Sequence, residues 1–98
     1  RAVEHFARAV SKNPKDITVR ENLATAYTSA GLLEKASEAY EAIVKMDSTN
    51  WDARYELGKL YIQLGNKTGA KEVLENLIRT KSDYEKAAEV KRLINTLE

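Results

Sequence analysis

An all-α solenoid of antiparallel helix–turn–helix units, about six helices long and ending in a capping helix, is the fold class this sequence predicts. Three observations predict it. First, a pattern recurs every 34 residues. With 17–50 written above 51–84, Leu23 falls on Leu57, Ala24 on Gly58, Tyr27 on Tyr61, Gly31 on Gly65, Ala36 on Ala70, Tyr40 on Leu74 and Ile43 on Leu77. One period earlier, Ala2, Phe6 and Ala9 precede Ala36, Tyr40 and Ile43. Such a period marks stacked helical repeats. Second, apolar residues within each segment lie three or four apart, and no useful stretch alternates with period two. Third, the chain holds only four glycines and one proline, so its breaks are easy to place.

The elements follow in order. A first helix over 2–12 ends before Asn13-Pro14, because proline lacks the N–H a helix needs and restricts the residue before it. Asp16 is the N-cap of a second helix that runs to about residue 30, where Gly31 supplies a left-handed stop. A third helix covers 33–46. The Asp47-Ser48-Thr49-Asn50 cluster is a turn and a cap. A fourth helix runs over 51–64 and stops at Gly65-Asn66. A fifth covers 68–80, with Gly69 inside it at a cost of about 1 kcal/mol relative to alanine. Ser82-Asp83 caps a final helix over 84–97. Short loops make neighbouring helices antiparallel. Each helix is expected to bury one stripe: Leu23, Tyr27 and Ala30 on one, Leu57, Tyr61 and Leu64 on another. Ala24, Gly58, Ala36 and Ala70 are small where a partner helix comes close. Trp51 is expected to pack near Met46, with a ligand contact as the lesser alternative.

The last helix breaks the register. Strict spacing puts Lys91, Arg92 and Asn95 in the core. A shift of one residue instead matches Leu57, Leu60, Tyr61 and Leu64 to Val90, Leu93, Ile94 and Leu97. Lys91 then stands where Gly58 stood, as suits a helix with no following partner. The final helix is therefore a cap with a polar outer face. The whole chain, 1–98, is one domain: 1–16 the second half of a truncated repeat, 17–50 and 51–84 full repeats, and 85–98 the cap, starting near 84.

On these residues the chain resembles the tetratricopeptide repeat family. Leu57-Gly58, Tyr61, Gly65 and Ala70, and Leu23-Ala24, Tyr27, Gly31 and Ala36, stand at the family's offsets. There are departures. Arg20 and Arg54 replace the usual large residue at the fourth position, and proline ends only the first unit.

Composition narrows the function classes. The hydrophobic fraction is 43%, the charged fraction 32% and the net charge +1. That suits a soluble folded chain, for which the cytoplasm is the favoured site, and gives no bulk charge for a nucleic acid or an acidic membrane. There is no cysteine, so disulfides and thiolate metal sites are excluded. No apolar run approaches the ~18 residues of a membrane helix. The start on Arg1, partway through a repeat, reads as a fragment of a longer protein.

Catalytic motifs are scarce, and no cofactor or metal site is expected. His5 is the lone histidine and reads as a surface residue. Glu34, Glu38 and Glu41 form a solvated helix face, with Lys45 as an i,i+4 partner for Glu41. Residues 65–71 resemble a phosphate loop only superficially, since the spacing is wrong and no strand precedes them. Asn66-Lys67-Thr68 matches a glycosylation acceptor that is common by chance. An enzyme is not expected.

The resemblance implies a concave groove lined by the first helix of each pair. By position, it would present Thr18, Glu21, Asn22, Thr25, Thr28 and Ser29, then Asp52, Tyr55, Glu56, Lys59, Ile62 and Gln63, then Glu85, Ala88, Glu89 and Arg92. Of these, Glu21, Asn22, Thr25, Asp52, Tyr55, Glu56, Lys59 and Ile62 are the candidate partner-binding residues. Family members that hold chaperone C-terminal carboxylates use Lys, Asn and Arg there. Only Asn22 fits, and Asp52 and Glu56 would repel a carboxylate. The expected function is a protein-interaction scaffold that binds a partner segment carrying Lys or Arg. The alternative is a structural spacer or self-association module. A homodimer through the first helix is also expected, if Val3, Ala7 and Val10 form an exposed stripe.

Overall fold

The computed structural model describes residues 2–97, and its first two helices are separated by the Asn13–Asp16 turn. Helix α1 (Ala2–Lys12) is followed by α2 (Ile17–Ser29), α3 (Leu33–Met46), α4 (Trp51–Gln63), α5 (Lys67–Thr80) and α6 (Ala87–Thr96). No described residue is in a strand. Each helix packs chiefly on its neighbours in sequence, and the stack measures 39 × 24 × 19 Å. The architecture is the all-α solenoid that the period predicts.

The helix ends lie where capping chemistry puts them. The Asp16 carboxylate accepts from the Val19 N–H at 3.3 Å, Asn50 Oδ1 from the Ala53 N–H at 3.1 Å, and Asn66 Oδ1 from the Gly69 N–H at 2.9 Å. Each satisfies a donor that the first helical turn leaves unpaired. Gly31 and Gly65 stop α2 and α4 at φ values of 78° and 82°, a conformation that disfavours residues with a Cβ.

The cap also explains Gly69. A Cβ there would lie 2.5 Å from Asn66 Nδ2. Gly69→Ala is expected to change stability by less than about 0.5 kcal/mol, because a propensity gain of about 1 kcal/mol meets the loss of a cap of similar worth. Asn66→Ala alone should cost about 1 kcal/mol. Urea unfolding of the two variants measures both.

The last helix starts later than the sequence suggests. It begins at Ala87, and neither Ser82 nor Asp83 caps it. Asp83 instead pairs with Lys81 at 3.1 Å. The reason is Tyr84, which turns inward and is only 7% exposed. Two turn hydrogen bonds, Tyr84 N–H to the Lys81 carbonyl and Ala87 N–H to the Tyr84 carbonyl, carry the chain around it. The shifted register within α6 does hold. Val90 is buried and Leu93, Ile94 and Leu97 pack beside it, while Lys91, Arg92 and Asn95 are exposed.

The interior consists of two clusters. One joins Ala24, Ala36, Tyr40, Ile43, Ala53, Leu57 and Leu60 from α2, α3 and α4. The other joins Tyr55, Leu74, Leu77, Tyr84 and Val90 from α4, α5, the following turn and α6. Gly58 lets α4 and α5 meet, since a Cβ there would lie 2.4 Å from Leu74 Cδ2.

Four expectations need correction. Ala30 and Leu64 are exposed, because each is the C-cap residue before a glycine stop, where the chain turns away from its packing face. Trp51 packs against the second cluster beneath the Arg54 guanidinium, 5.9 Å from its ring centre, and Met46 is exposed. Glu41 accepts a hydrogen bond from the Tyr61 hydroxyl, so it ties α3 to α4. Val3, Ala7 and Val10 are half-buried and form no open stripe.

The departures at Arg20 and Arg54 have a shared role. Arg20 Nε donates to the Pro14 carbonyl at 2.6 Å and Arg54 Nε to the Ser48 carbonyl at 2.9 Å. Each arginine reaches back six residues and fastens the turn between repeats. Their spacing, one repeat apart, was the available signal.

Candidate functional site

Helices α2, α4 and α6 lie at equivalent positions in successive units, and each contributes side chains to one face of the stack. Between α2 and α4 this face sinks into a depression of about 310 Å³, lined by Glu21, Asn22, Thr25, Tyr40, Asp52, Ala53 and Glu56. Five of the eight candidate residues therefore meet at one place: Glu21, Asn22, Thr25, Asp52 and Glu56. Three of the five carry carboxylates. Tyr40 is buried at its floor. Burial raises the Tyr40 pKa, and the nearby Glu56 and Glu21 charges add to the rise. One wall is braced: Asn50 Nδ2 donates to Glu21 Oε2 at 2.9 Å, which links the start of α4 to α2.

Between α4 and α6 the same face is filled. Tyr55 is 3% exposed and belongs to the second cluster, so it is no wall of an open groove. Its hydroxyl donates to Glu89, and the Tyr84 hydroxyl donates to Asp52. The two rings lie 6.2 Å apart at a tilt of 57°. Lys59 and Lys86 stand over the Tyr55 ring at 4.4 and 4.9 Å, a favourable cation–π placement. Lys59 also pairs with Glu56 at 3.5 Å. Ile62 is half-buried against the same cluster. Tyr55, Lys59 and Ile62 are thus drawn into packing. The missed signal is Tyr84, an aromatic placed to reach the gap where Tyr55 enters.

The remaining positions stay at the surface. Thr18, Thr28, Ser29, Gln63, Glu85, Ala88 and Arg92 are exposed. Asp52 touches a second depression, of about 460 Å³, at the α3–α4 and α5–α6 turns, with Trp51, Lys81, Asp83, Tyr84 and Glu85 around it. His5 is exposed with its ring edge-on to Phe6. Among the described residues no group of three or more His, Asp or Glu side chains is placed to hold a metal ion. Nor is any described helix long and apolar enough to cross a membrane.

The buried tyrosines make stability depend on alkaline pH. Burial, reinforced by the Glu41 hydrogen bond, pushes Tyr61 up to about 12, and Tyr55 and Tyr84 are raised further still. From about pH 10 the unfolded chain loses tyrosine protons that the folded chain keeps. The contribution is thus complete below about pH 10 and lost as pH rises through the folded values. Tyrosinate absorbance and helical circular dichroism, followed together up the pH scale, should change in one shared transition. Tyr61→Phe should move its onset upward.

Family models described as tetratricopeptide repeat match residues 34–94 and residues 1–50. No curated protein matches. Solved structures share the fold over almost the whole chain. The crystal structure of PcrH in complex with the chaperone binding region of PopD superposes with a TM-score of 0.86 at 18% identity, covering 97% of this chain and 74% of that one. A tetratricopeptide repeat protein from Parabacteroides merdae ATCC 43184 gives 0.86 at 27% identity, with 97% and 37% covered. The type III secretion translocator chaperone SycD of Yersinia enterocolitica gives 0.84 at 17% identity, with 97% and 68% covered.

Proposed function

This chain belongs to the tetratricopeptide repeat family, and we propose that it is a protein-interaction scaffold that holds an extended partner segment in the depression between α2 and α4. The single observation behind this is the gathering of Glu21, Asp52 and Glu56 around this depression, above Tyr40. A partner segment with Lys or Arg complements these charges and is steered by them, more so at low salt. The Tyr40 ring and Ala53 offer its aliphatic stem an apolar floor. The solved complex of PcrH with a region of PopD supports the idea that a stack of this shape holds a partner's segment. The role needs no chemistry from the chain beyond binding.

Arrayed peptides of varied charge, read by fluorescence anisotropy, test the proposal. Saturable binding of Lys- or Arg-bearing peptides is expected, and Glu56→Lys should weaken it about tenfold while leaving the circular dichroism unchanged. Equal binding of acidic and basic peptides, or indifference to Glu56→Lys, would remove the charge assignment. Absence of any binding would remove the groove.

A further inference from the structure

Helix α2 has a second face, opposite the one that bears Glu21, Asn22 and Thr25. On a helix of about 3.6 residues per turn, Arg20, Leu23 and Tyr27 lie on the far side from those three. With Lys35, Glu38, Ala39 and Ala42 of α3 they line a depression of about 220 Å³. The same place one repeat on is closed by the protein itself. There Val73 replaces Ala39 and packs on the first cluster, and Leu57, the counterpart of Leu23, is buried. Asn76 replaces Ala42, and its Oδ1 accepts from Arg54 Nη1 at 2.6 Å. Glu41, on the helix before, accepts from the Tyr61 hydroxyl.

The first unit keeps both donors and lacks both acceptors. Arg20 corresponds to Arg54 and Tyr27 to Tyr61, but Ala42 stands for Asn76 and Ala7 for Glu41. Arg20 retains its Nε bond to the Pro14 carbonyl. Among the described residues, its terminal nitrogens and the Tyr27 hydroxyl have no hydrogen-bond partner. Helices α1 and α3, which carry Ala7, Ala39 and Ala42, are both in place. The opening is therefore made by their alanines and not by an absent helix.

We propose that this depression binds an acidic segment of a partner protein, whose carboxylates supply the two acceptors that alanine removes. One carboxylate meets the Arg20 guanidinium, where a charge-assisted bond is stronger than the neutral amide that serves Arg54. The other meets the Tyr27 hydroxyl and Lys35. The Arg54–Asn76 bond puts Ala42 at the Arg20 end, and Lys35, seven residues earlier on the antiparallel α3, at the Tyr27 end. Leu23, Ala39 and Ala42 give the aliphatic stems an apolar floor. Arg20 and Tyr27 are about 10 Å apart along the helix axis. An extended chain covers that span in about three residues. Glu38 is exposed between the two ends and repels a carboxylate at the centre, which favours a pair spaced to reach both ends. A second copy of this chain fits poorly. Its only acidic pairs three residues apart, Glu38 with Glu41 and Glu72 with Glu75, lie within helices, where Cβ atoms are about 5–6 Å apart.

The probe is a fluorescein-labelled alanine hexapeptide with two glutamates three residues apart, titrated into the 98-residue chain and read by anisotropy. Saturable binding with Kd of about 0.1–1 mM is expected, tighter at low salt. Amide resonances of Tyr27, Ala39 and Ala42 should shift. Ala42→Asn, which restores the acceptor of the second unit, should weaken binding about tenfold with circular dichroism unchanged. Tyr27→Phe should weaken it about threefold, and Glu38→Gln should strengthen it about threefold. No binding, equal binding of the hexapeptide with lysines for glutamates, or indifference to both Ala42→Asn and Glu38→Gln would each overturn the proposal. Equal competition by free glutarate would assign the site to a small dicarboxylic acid, and a mass that doubles with concentration would assign it to a second copy. Either result overturns it as well. The groove reading stands or falls separately, since its basic peptides shift the resonances of Glu21, Asp52 and Glu56.

Discussion

Gly58→Leu is expected to be the most damaging single substitution in this chain, costing about 3 kcal/mol or more of a total that is about 5–10 kcal/mol for a domain of this size. Even a Cβ at this position would lie 2.4 Å from Leu74 Cδ2 and 2.7 Å from Cγ. Leu74 is fully buried and has no solvent to move into. The helix itself would gain about 1 kcal/mol from losing a glycine. Overpacking therefore outweighs propensity. A double-mutant cycle isolates the cause. Gly58→Ala should destabilise the wild-type background. It should be neutral or stabilising beside Leu74→Ala, which itself costs about 2–5 kcal/mol but removes the clashing atoms. Additive effects in denaturant unfolding would show that the close approach is not what glycine serves.

Tyr55→Ala should cost about 3–5 kcal/mol, as truncation of a large buried aromatic does. The ring fills the space between α4 and α6 beside Tyr84. Its removal would also leave Lys59 and Lys86 without the ring they cover, and Glu89 without its donor. Tyr55→Phe keeps the ring and should cost only about 1 kcal/mol, the worth of one hydrogen bond. The contrast matters for function. A loss of partner binding in Tyr55→Ala would report a loosened stack, whereas Glu56→Lys changes charge at a half-exposed position and reports the groove itself. Thermal unfolding of the three variants separates these effects.

The architecture was legible because packing here is local and periodic. Leu57, Ala36, Ala70, Leu74 and Leu77 are all interior, where the 34-residue alignment puts them, and the shifted register of Val90 and Ile94 followed from the same alignment. What was not legible depended on contacts between units. Position alone could not separate Glu56, which borders the open depression, from Tyr55 beside it, because Tyr55 is buried by residues about 30 positions away in α6 and its approach. Tyr84 is the same case. As a sequence feature it read as the first residue of a helix, but its hydroxyl reaches Asp52 and the helix yields three residues to let it. The arginine clamps on Pro14 and Ser48 were hidden for a related reason. A charged side chain at a position usually apolar reads as a weakness until the carbonyl it serves is located.

The division of the interior decides how the two ends of the chain communicate. Helix α4 gives buried residues to both clusters, Ala53, Leu57 and Leu60 to one and Tyr55 to the other, while α5 sets Val73 against the first and Leu74 and Leu77 in the second. No buried side chain is common to both. Energetic coupling between sites is carried by contiguous packing, and here that packing runs through the α4–α5 pair. Changes at Ala24 and at Val90 therefore act on different clusters, and their effects on stability should add. The chain behaves less like a switch than like a ruler, on which each occupant reads only the graduation nearest to it.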